Sequence, residues 1–472
     1  MSLEKCDIGV VGMAVMGQNL ALNIESKGYK VAVYNRDHDK TKKFIKERAS
    51  NKNILGTYTY EELAKSLNRP RKIMLMVKAG KPVDDVIEQL LPNLEKGDII
   101  IDGGNSHYKD TNRRFKYLQE KGIRFLGTGI SGGEYGALHG PSIMPGGDKF
   151  AYEEMKDIFE AIAAKTEDGP CVAYLGPSSS GHYVKMVHNG IEYAIMELIS
   201  EAYDIMRKVF RLSADEMHEI FKKWNDEHKS YLMEITYKIL EWKDEETGKP
   251  LVDVILDSAQ QKGTGKWSVQ DALDLNISIP TINAAVNART LSAIKHERLE
   301  IGNIFDTPVN NSLNNDFINS VRDALYIATV IAYAEGMKLL QVASSEYGYG
   351  LDLSEVARIW EDGCIIRSAL LKPIQKSFKS KPNLVNLIIS EEFRKDFENR
   401  IPKLREVVSE IKKIGIPIPA FASALDYFDG LRSKELPANL IQAQRDFFGA
   451  HTYQRKDKEG IFHTEWQDIH NI

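Results

Sequence analysis

An α/β domain, a large all-helical domain and an extended C-terminal tail are the architecture this chain predicts, on three observations. Short apolar runs alternate with helical spacing through the first part of the chain, in a βαβ rhythm. Past the turn-rich linker Gly176-Pro177-Ser178-Ser179-Ser180-Gly181 the apolar spacing is mostly helical to about Leu436, and strand signals are sparse. Beyond Pro437 the helical periodicity stops. The expected units are residues 1–178, 179–436 and 437–472. A chain of 472 residues is too long for one core, which agrees.

Residues 8–11 (Ile-Gly-Val-Val) read as a buried strand. Gly12-Met13-Ala14-Val15-Met16-Gly17 follows, then a helical pattern over 18–27, a stop at Gly28, and a second strand over 31–34. This is a βαβ unit of about 30 residues with a glycine-punctuated turn. Gly12 permits the tight turn and Gly17 lets helix and strand pack closely. The turn and the helix N-terminus then offer backbone N–H groups to a pyrophosphate. Ala14 stands where a second glycine is usual, so the βαβ context carries the dinucleotide reading against that of a structural turn. An acidic residue at the end of the second strand would suit NAD; the chain has Asn35-Arg36. A guanidinium there matches a 2′-phosphate and favours NADP, unless Arg36 points into solvent. Asp37 follows at once and blunts the preference.

Further strands are expected over 72–77, 98–102, 124–130 and 172–175. Three end in small or polar residues: Val77-Lys78-Ala79-Gly80, Gly103-Gly104-Asn105-Ser106 and Gly129-Ile130-Ser131-Gly132-Gly133. In a doubly wound sheet this edge binds ligands. Asn105 is placed to bridge cofactor and substrate, and Ser131-Gly132-Gly133 offers donors to a carboxylate or polyol. Each turn alone is also an ordinary βα loop.

The helical domain opens with Lys185-Met186-Val187-His188-Asn189-Gly190-Ile191-Glu192-Tyr193. At about 100° per residue, Glu192 lies roughly 20° from Lys185 and Asn189 roughly 40° to the other side. An amine, an amide and a carboxyl then share one helix face, bordered by His188 and Tyr193. A base and an acid on one rigid element suit a reaction with two proton transfers. The commoner origin of such a pattern is a solvated polar stripe. Later, Lys262 and Lys266 sit in a glycine-punctuated loop that resembles a phosphate cradle without P-loop spacing, and Arg289 lies in a helical run. Alone, each is more often a surface feature. The apolar run 324–334, flanked by Arg322, Asp323 and Glu335, is too short for a bilayer and reads as a buried helix. The tail carries Phe447, Phe448 and Trp466, which should pack on this chain or on a partner.

A net charge of −5 argues against a nucleic-acid binder. Cys6, Cys171 and Cys364 are widely spaced and odd in number, so no disulfide framework is expected and a reducing, cytoplasmic setting fits. The first residues enter a strand almost at once, leaving no room for a signal peptide. No His/Asp/Glu cluster has metal-ligand spacing, and no metal is assigned.

Three blocks, in this order, resemble the 6-phosphogluconate dehydrogenase family, the decarboxylating enzymes of the pentose phosphate pathway. They are Gly132-Gly133-Glu134-Tyr135-Gly136 with Gly140 through Gly147, the Lys185 to Tyr193 stretch, and Ile255 through Trp267. The likeness runs essentially end to end. It implies a Rossmann-like domain, a large helical domain and a homodimer whose tails reach into the partner. It implies oxidation and decarboxylation of 6-phosphogluconate with NADP, Lys185 being general base and Glu192 general acid. Asn105, Ser131, Gly132, Gly133, His188 and Asn189 would hold the sugar acid, and Tyr193, Lys262 and Arg289 its phosphate. Arg445 and His451 would complete that pocket from the other subunit. Gly12, Ala14, Gly17, Asn35, Arg36 and Lys78 would hold NADP, with Met13, Val15, Met16, Asp37, Val77 and Ala79 lining its site. Asp37 departs from the Thr usual in the family and sets a carboxylate beside the expected phosphate; Lys40 is a nearby compensating charge. Two other readings stand beside this one: a non-decarboxylating β-hydroxyacid dehydrogenase, and an idle NADP-binding protein acting through dimer contacts.

Overall fold

The strands of the N-terminal region are short and almost wholly apolar, because helices cover both faces of the sheet they form. In the computed structural model, which describes residues 5–305 and 313–466, they are β1 (Ile8–Val11), β2 (Val31–Tyr34), β3 (Ile54–Thr57), β4 (Lys72–Leu75), β5 (Ile99–Asp102), β6 (Arg124–Ile130) and β7 (Ile143–Gly147). Their order is β3-β2-β1-β4-β5-β6-β7, parallel except for the β6–β7 pair. Alternation sends Ile8 and Val10 into one core, with Leu20, Ile24 and Phe159, and Val11 into the other, with Leu63, Val83 and Ile87. The order reverses at β1, which pairs with both β2 and β4. The crevice beyond its carboxyl end is where such sheets bind ligands.

Two strands differ from expectation. Residues 172–175 form no strand; Val172 makes one isolated bridge to Ile143, and the Leu175 N–H reaches the Pro145 carbonyl. Pro145 lacks the N–H that a continuing ladder needs. Its segment, Ile143–Gly147, is itself the edge strand, although Pro-Gly-Gly reads as a turn. β3 was also not expected, and β4 ends at Leu75.

Among the described residues, everything named from Ser180 onward is helical. Two 30-residue helices, Ser180–Val209 and Phe317–Glu346, form its core. They approach closely because Gly336 has no side chain; a Cβ there would lie 2.4 Å from Ile191 Cδ1. Residues 324–334 are buried as expected, and no described helix is long and apolar enough to cross a membrane.

Each long helix buries one glutamate that caps another helix. Glu201 accepts the backbone N–H groups of Ala420 and Phe421 at 2.6 and 2.9 Å. Glu335 accepts those of Thr281 and Ile282 at 3.0 and 3.1 Å. Both capped helices, Pro419–Arg432 and Pro280–Ala293, begin with a proline, which has no N–H to leave unpaired.

The chain divides into two compact units, Met1–Leu425 and Asp426–Ile472. The second is less extended than its sequence suggests, since Ala438–Gly449 is a helix. Fully buried Asp446 organises this unit, accepting bonds from Thr452 N, His463 Nδ1, Thr464 N and Trp466 Nε1 at 2.8–3.1 Å. Burial acts to raise its pKa, but these donors outweigh it and hold the carboxyl below its usual range. Phe447 packs on Trp466 with ring centroids 5.6 Å apart, whereas Phe448 stays exposed. The last six residues of the expected tail lie outside the described residues.

Candidate active site

The Ser180–Val209 helix enters the sheet's carboxyl edge through a joint made of glycines. A Cβ on Gly181 would lie 2.3 Å from the carbonyl oxygens of Gly127 and Met144, and one on Gly129 would lie 2.4 Å from Lys185 Cβ. The first turns of the helix therefore pack directly on β6 and β7. The expected polar face is not solvated: Lys185, His188 and Asn189 are all buried, and Glu192 keeps 21% of its side chain exposed.

Lys185 Nζ donates to Ser131 Oγ at 3.0 Å and lies 3.4 Å from His188 Nδ1. His188 Nε2 is 3.3 Å from the same Ser131 hydroxyl. His188 Nδ1 lies 2.9 Å from Asn189 Oδ1 and 3.8 Å from Glu192 Oε2. Burial lowers the Lys185 pKa, partly opposed by Glu192 and Cys364. Burial raises that of Glu192, opposed by Lys185 and Arg289. Burial, with Lys185 second, holds His188 well below its ordinary range. A neutral imidazole leaves the amine and the carboxyl as the two groups on this face whose charge is pulled toward neutral by burial.

On the next turn Tyr193 packs against Gly265, where a Cβ would lie 2.6 Å from the ring, and the Arg289 guanidinium stacks 3.5 Å from the ring centroid. Arg289 also reaches the Gln260 carbonyl at 3.4 Å. Lys262 is exposed on the loop before the helix Thr264–Asp274. Asn105 is exposed beyond β5, and Gly132 and Gly133 adopt φ of +102° and +62° after Ser131. Arg445 and His451 are exposed in the second unit.

At the crevice, Gly12 has φ +104°, and a Cβ there would lie 2.4 Å from the Met76 carbonyl oxygen. Gly17 packs on Gly12 itself, with 1.9 Å left for a Cβ. The helix Val15–Ser26 has no side-chain cap and no acidic residue in its first turn, and Ala14 and Val15 are exposed. Its free N–H groups suit a pyrophosphate. Asn35 Oδ1 accepts the Met13 N–H at 3.0 Å, fixing the turn against β2. Arg36 is exposed at the end of that strand. Asp37 caps the helix His38–Arg48 by accepting the Asp39 N–H at 3.2 Å. Val77, Lys78 and Ala79 form the turn after β4. These residues fit a dinucleotide with an extra phosphate.

Sequence reasoning missed several neighbours. Thr264 accepts from Asn189 Nδ2 at 3.2 Å, Trp360 packs edge-on to His188 at 5.5 Å, and buried Cys364 lies within the electrostatic reach of Lys185. Nothing local in sequence marks contacts across 75 to 179 positions. The capping role of Asp37 was legible, since it precedes a charged helical run. Among the described residues, no group of three or more His, Cys, Asp or Glu is placed to hold a metal ion.

Comparison with known proteins gives a consistent result. The family model described as the NAD binding domain of 6-phosphogluconate dehydrogenase matches residues 7–176. That of the 6-phosphogluconate dehydrogenase C-terminal domain matches residues 181–466. The chain is 55% identical over 468 residues to the NADP(+)-dependent, decarboxylating 6-phosphogluconate dehydrogenase of Bacillus subtilis (strain 168), covering 98% of this chain and 100% of that one. It is 50% identical over 465 residues to the NAD(+)-dependent, decarboxylating enzyme of the same organism, covering 98% and 99%. A solved 6-phosphogluconate dehydrogenase from Plasmodium falciparum, studied apo, with its cofactor NADP+ and with its substrate 6-phosphogluconate, superposes with a TM-score of 0.95. It is 48% identical, over 98% of this chain and 100% of that one.

Proposed function

The chain belongs to the 6-phosphogluconate dehydrogenase family, and from that premise we propose that it oxidises and decarboxylates 6-phosphogluconate to ribulose 5-phosphate with NADP, Lys185 acting as general base and Glu192 as general acid. The observation that carries the roles is one helix face on which burial lowers the amine and raises the carboxyl. Two groups driven toward each other's range are equipped to trade protons.

Neutral Lys185 takes the proton of the substrate's C3 hydroxyl. NADP, when bound, supplies the hydride acceptor for C3. Protonated Lys185 then donates to the C3 carbonyl oxygen, so that the electrons of the breaking C1–C2 bond flow toward C3 as CO₂ leaves. The enediol that remains receives a proton from Glu192 on the carbon that becomes C1 of ribulose 5-phosphate, while Lys185 takes back the hydroxyl proton. Ser131, His188 and Asn189 hold Lys185 and the sugar acid in register, with Asn105, Gly132 and Gly133 on the facing turns. Tyr193, Lys262 and Arg289 hold the phosphate.

Arg36 and Lys78 would meet the cofactor's phosphates, and Asn35 holds the turn formed by Gly12, Met13, Ala14, Val15, Met16 and Gly17. Asp37 faces its own helix N-terminus, which supports NADP despite its charge. The protein acts as a homodimer, with Arg445 and His451 reaching the partner's phosphate pocket. Large apolar side chains exposed on the helical region, including Trp242, Leu256 and Leu273, support a protein partner there. The three free, buried cysteines support a reducing, cytoplasmic setting.

An assay of 6-phosphogluconate with NADP and, in parallel, NAD tests the reading. NADPH and CO₂ should appear in equal amounts, and faster than NADH. NADPH without CO₂ would leave a non-decarboxylating dehydrogenase instead.

A further inference from the structure

We propose that Arg114 is a positioning residue that clamps the two turns after β4 and β5 into one preformed ligand edge. The inference deepens the proposed function, since those turns carry Val77, Lys78, Ala79 and Asn105. Arg114 lies on the helix Tyr108–Glu120, next to half-exposed Arg113. Its own side chain is 1% exposed.

Its donors divide between the two turns. Toward the β4 turn, Nε reaches Asp84 Oδ1 at 2.8 Å, and Nη2 reaches Asp84 Oδ2 at 3.2 Å and the Gly80 carbonyl at 2.9 Å. Toward the β5 turn, Nη1 lies 3.4 Å from Ser106 Oγ and 3.5 Å from Asp102 Oδ2. Fully buried Asp102 in turn accepts the Gly104 N–H at 3.1 Å and the Ser106 hydroxyl at 2.6 Å. Asn105 is thus held between two residues anchored on the same carboxylate. The turns also touch directly, since a Cβ on Gly104 would lie 3.1 Å from the Val77 carbonyl oxygen. Three nitrogens of one planar group span both turns, a geometry that lysine cannot reproduce.

The same strands carry a second buried arginine at their other ends. Arg71, before β4, binds Asp98, before β5, at 2.7 Å. That pair is remote from the ligand edge and supplies a matched control.

A clamp that preforms the edge makes the two ligands bind nearly independently. Without it, whichever ligand binds first must order both turns, and the second then binds more tightly. The test uses the full-length Arg114→Lys and Asp84→Asn variants, with Arg71→Lys as control. Kd for NADPH is read with and without saturating 6-phosphogluconate, a pair that cannot react. In both clamp variants the ratio of these Kd values should grow by about fivefold or more over wild type, and KM for both ligands should rise together. Arg71→Lys should lower melting temperature and leave the ratio unchanged. An unchanged ratio in whichever clamp variant folds, or a rise in KM for one ligand only, overturns the clamp. Wild-type protein that fails to turn over 6-phosphogluconate would instead overturn the proposed function.

Discussion

Lys185 is lowered and Glu192 raised by the same cause, removal from water, and each partly restrains the other through its charge. Lys185→Met should therefore lose roughly 10²–10⁴-fold in kcat while KM for 6-phosphogluconate changes little. Turnover close to wild type would remove the proposed base. The pH dependence follows from the required states. The base must be neutral, so kcat/KM rises with pH through the Lys185 titration; the acid must be protonated, so it falls through that of Glu192. These limbs belong to the pair rather than to either residue. Glu192→Gln removes the group whose ionisation sets the basic limb, so the residual activity should rise with pH and then level off. A basic limb that persists in this variant would mean that Glu192 is not the acid. At the cofactor edge, Arg36→Ala should cost about 10-fold or more in kcat/KM with NADP and leave the NAD reaction nearly unchanged. Equal losses with both cofactors would mean that Arg36 does not read the extra phosphate.

The two capping glutamates show how an element depends on one buried proton. Burial raises Glu201 and Glu335 from an ordinary 4.5 to about 8, against the backbone N–H groups that lower them. The fold therefore holds protons that the unfolded chain has released between about pH 4.5 and 8. That stabilisation is complete below the lower value and is lost as pH rises through the upper one, by at most about 1.4 kcal/mol per pH unit for each carboxyl. Melting temperature should fall from about pH 6 to about pH 9, and less steeply in Glu335→Gln, whose amide has no proton to lose. Identical slopes would mean that this carboxyl titrates as it does in the unfolded chain. Such pairings were not legible in sequence, because a glutamate on one helix says nothing of the N-terminus it will meet 53 or more residues away. Elements with strong local patterns were legible: β1, β2 and β6 lie at their expected bounds. β7 was not, because tertiary pairing with β6 overrides the turn chemistry of Pro-Gly-Gly.

Across the whole molecule, the proposed tail exchange makes a prediction that no single subunit can mimic. Lys185→Met and Arg445→Ala protomers, each inactive alone, should regain activity when their subunits are reassorted, because each mixed dimer carries one site free of both changes. Random reassortment should give about one quarter of wild-type activity. No recovery in demonstrated mixed dimers would mean that Arg445 serves its own subunit. The site's central face was readable because helical spacing is a local property, and its cofactor turn because glycine positions are. Burial of Arg114 and the walls supplied by Thr264, Trp360 and Cys364 were not, since charge and spacing cannot tell a solvated face from an interior one. The glycine joint at Gly129 and Gly181 also governs how this protein can change. At these two positions a glycine is pressed against the helix or the strands with no room for a Cβ, so mutation has no small steps there. Selection of this chain for a different sugar acid would find its usable variation away from that joint, at Tyr193, Thr264 and Arg289, while Gly129 and Gly181 stay invariant.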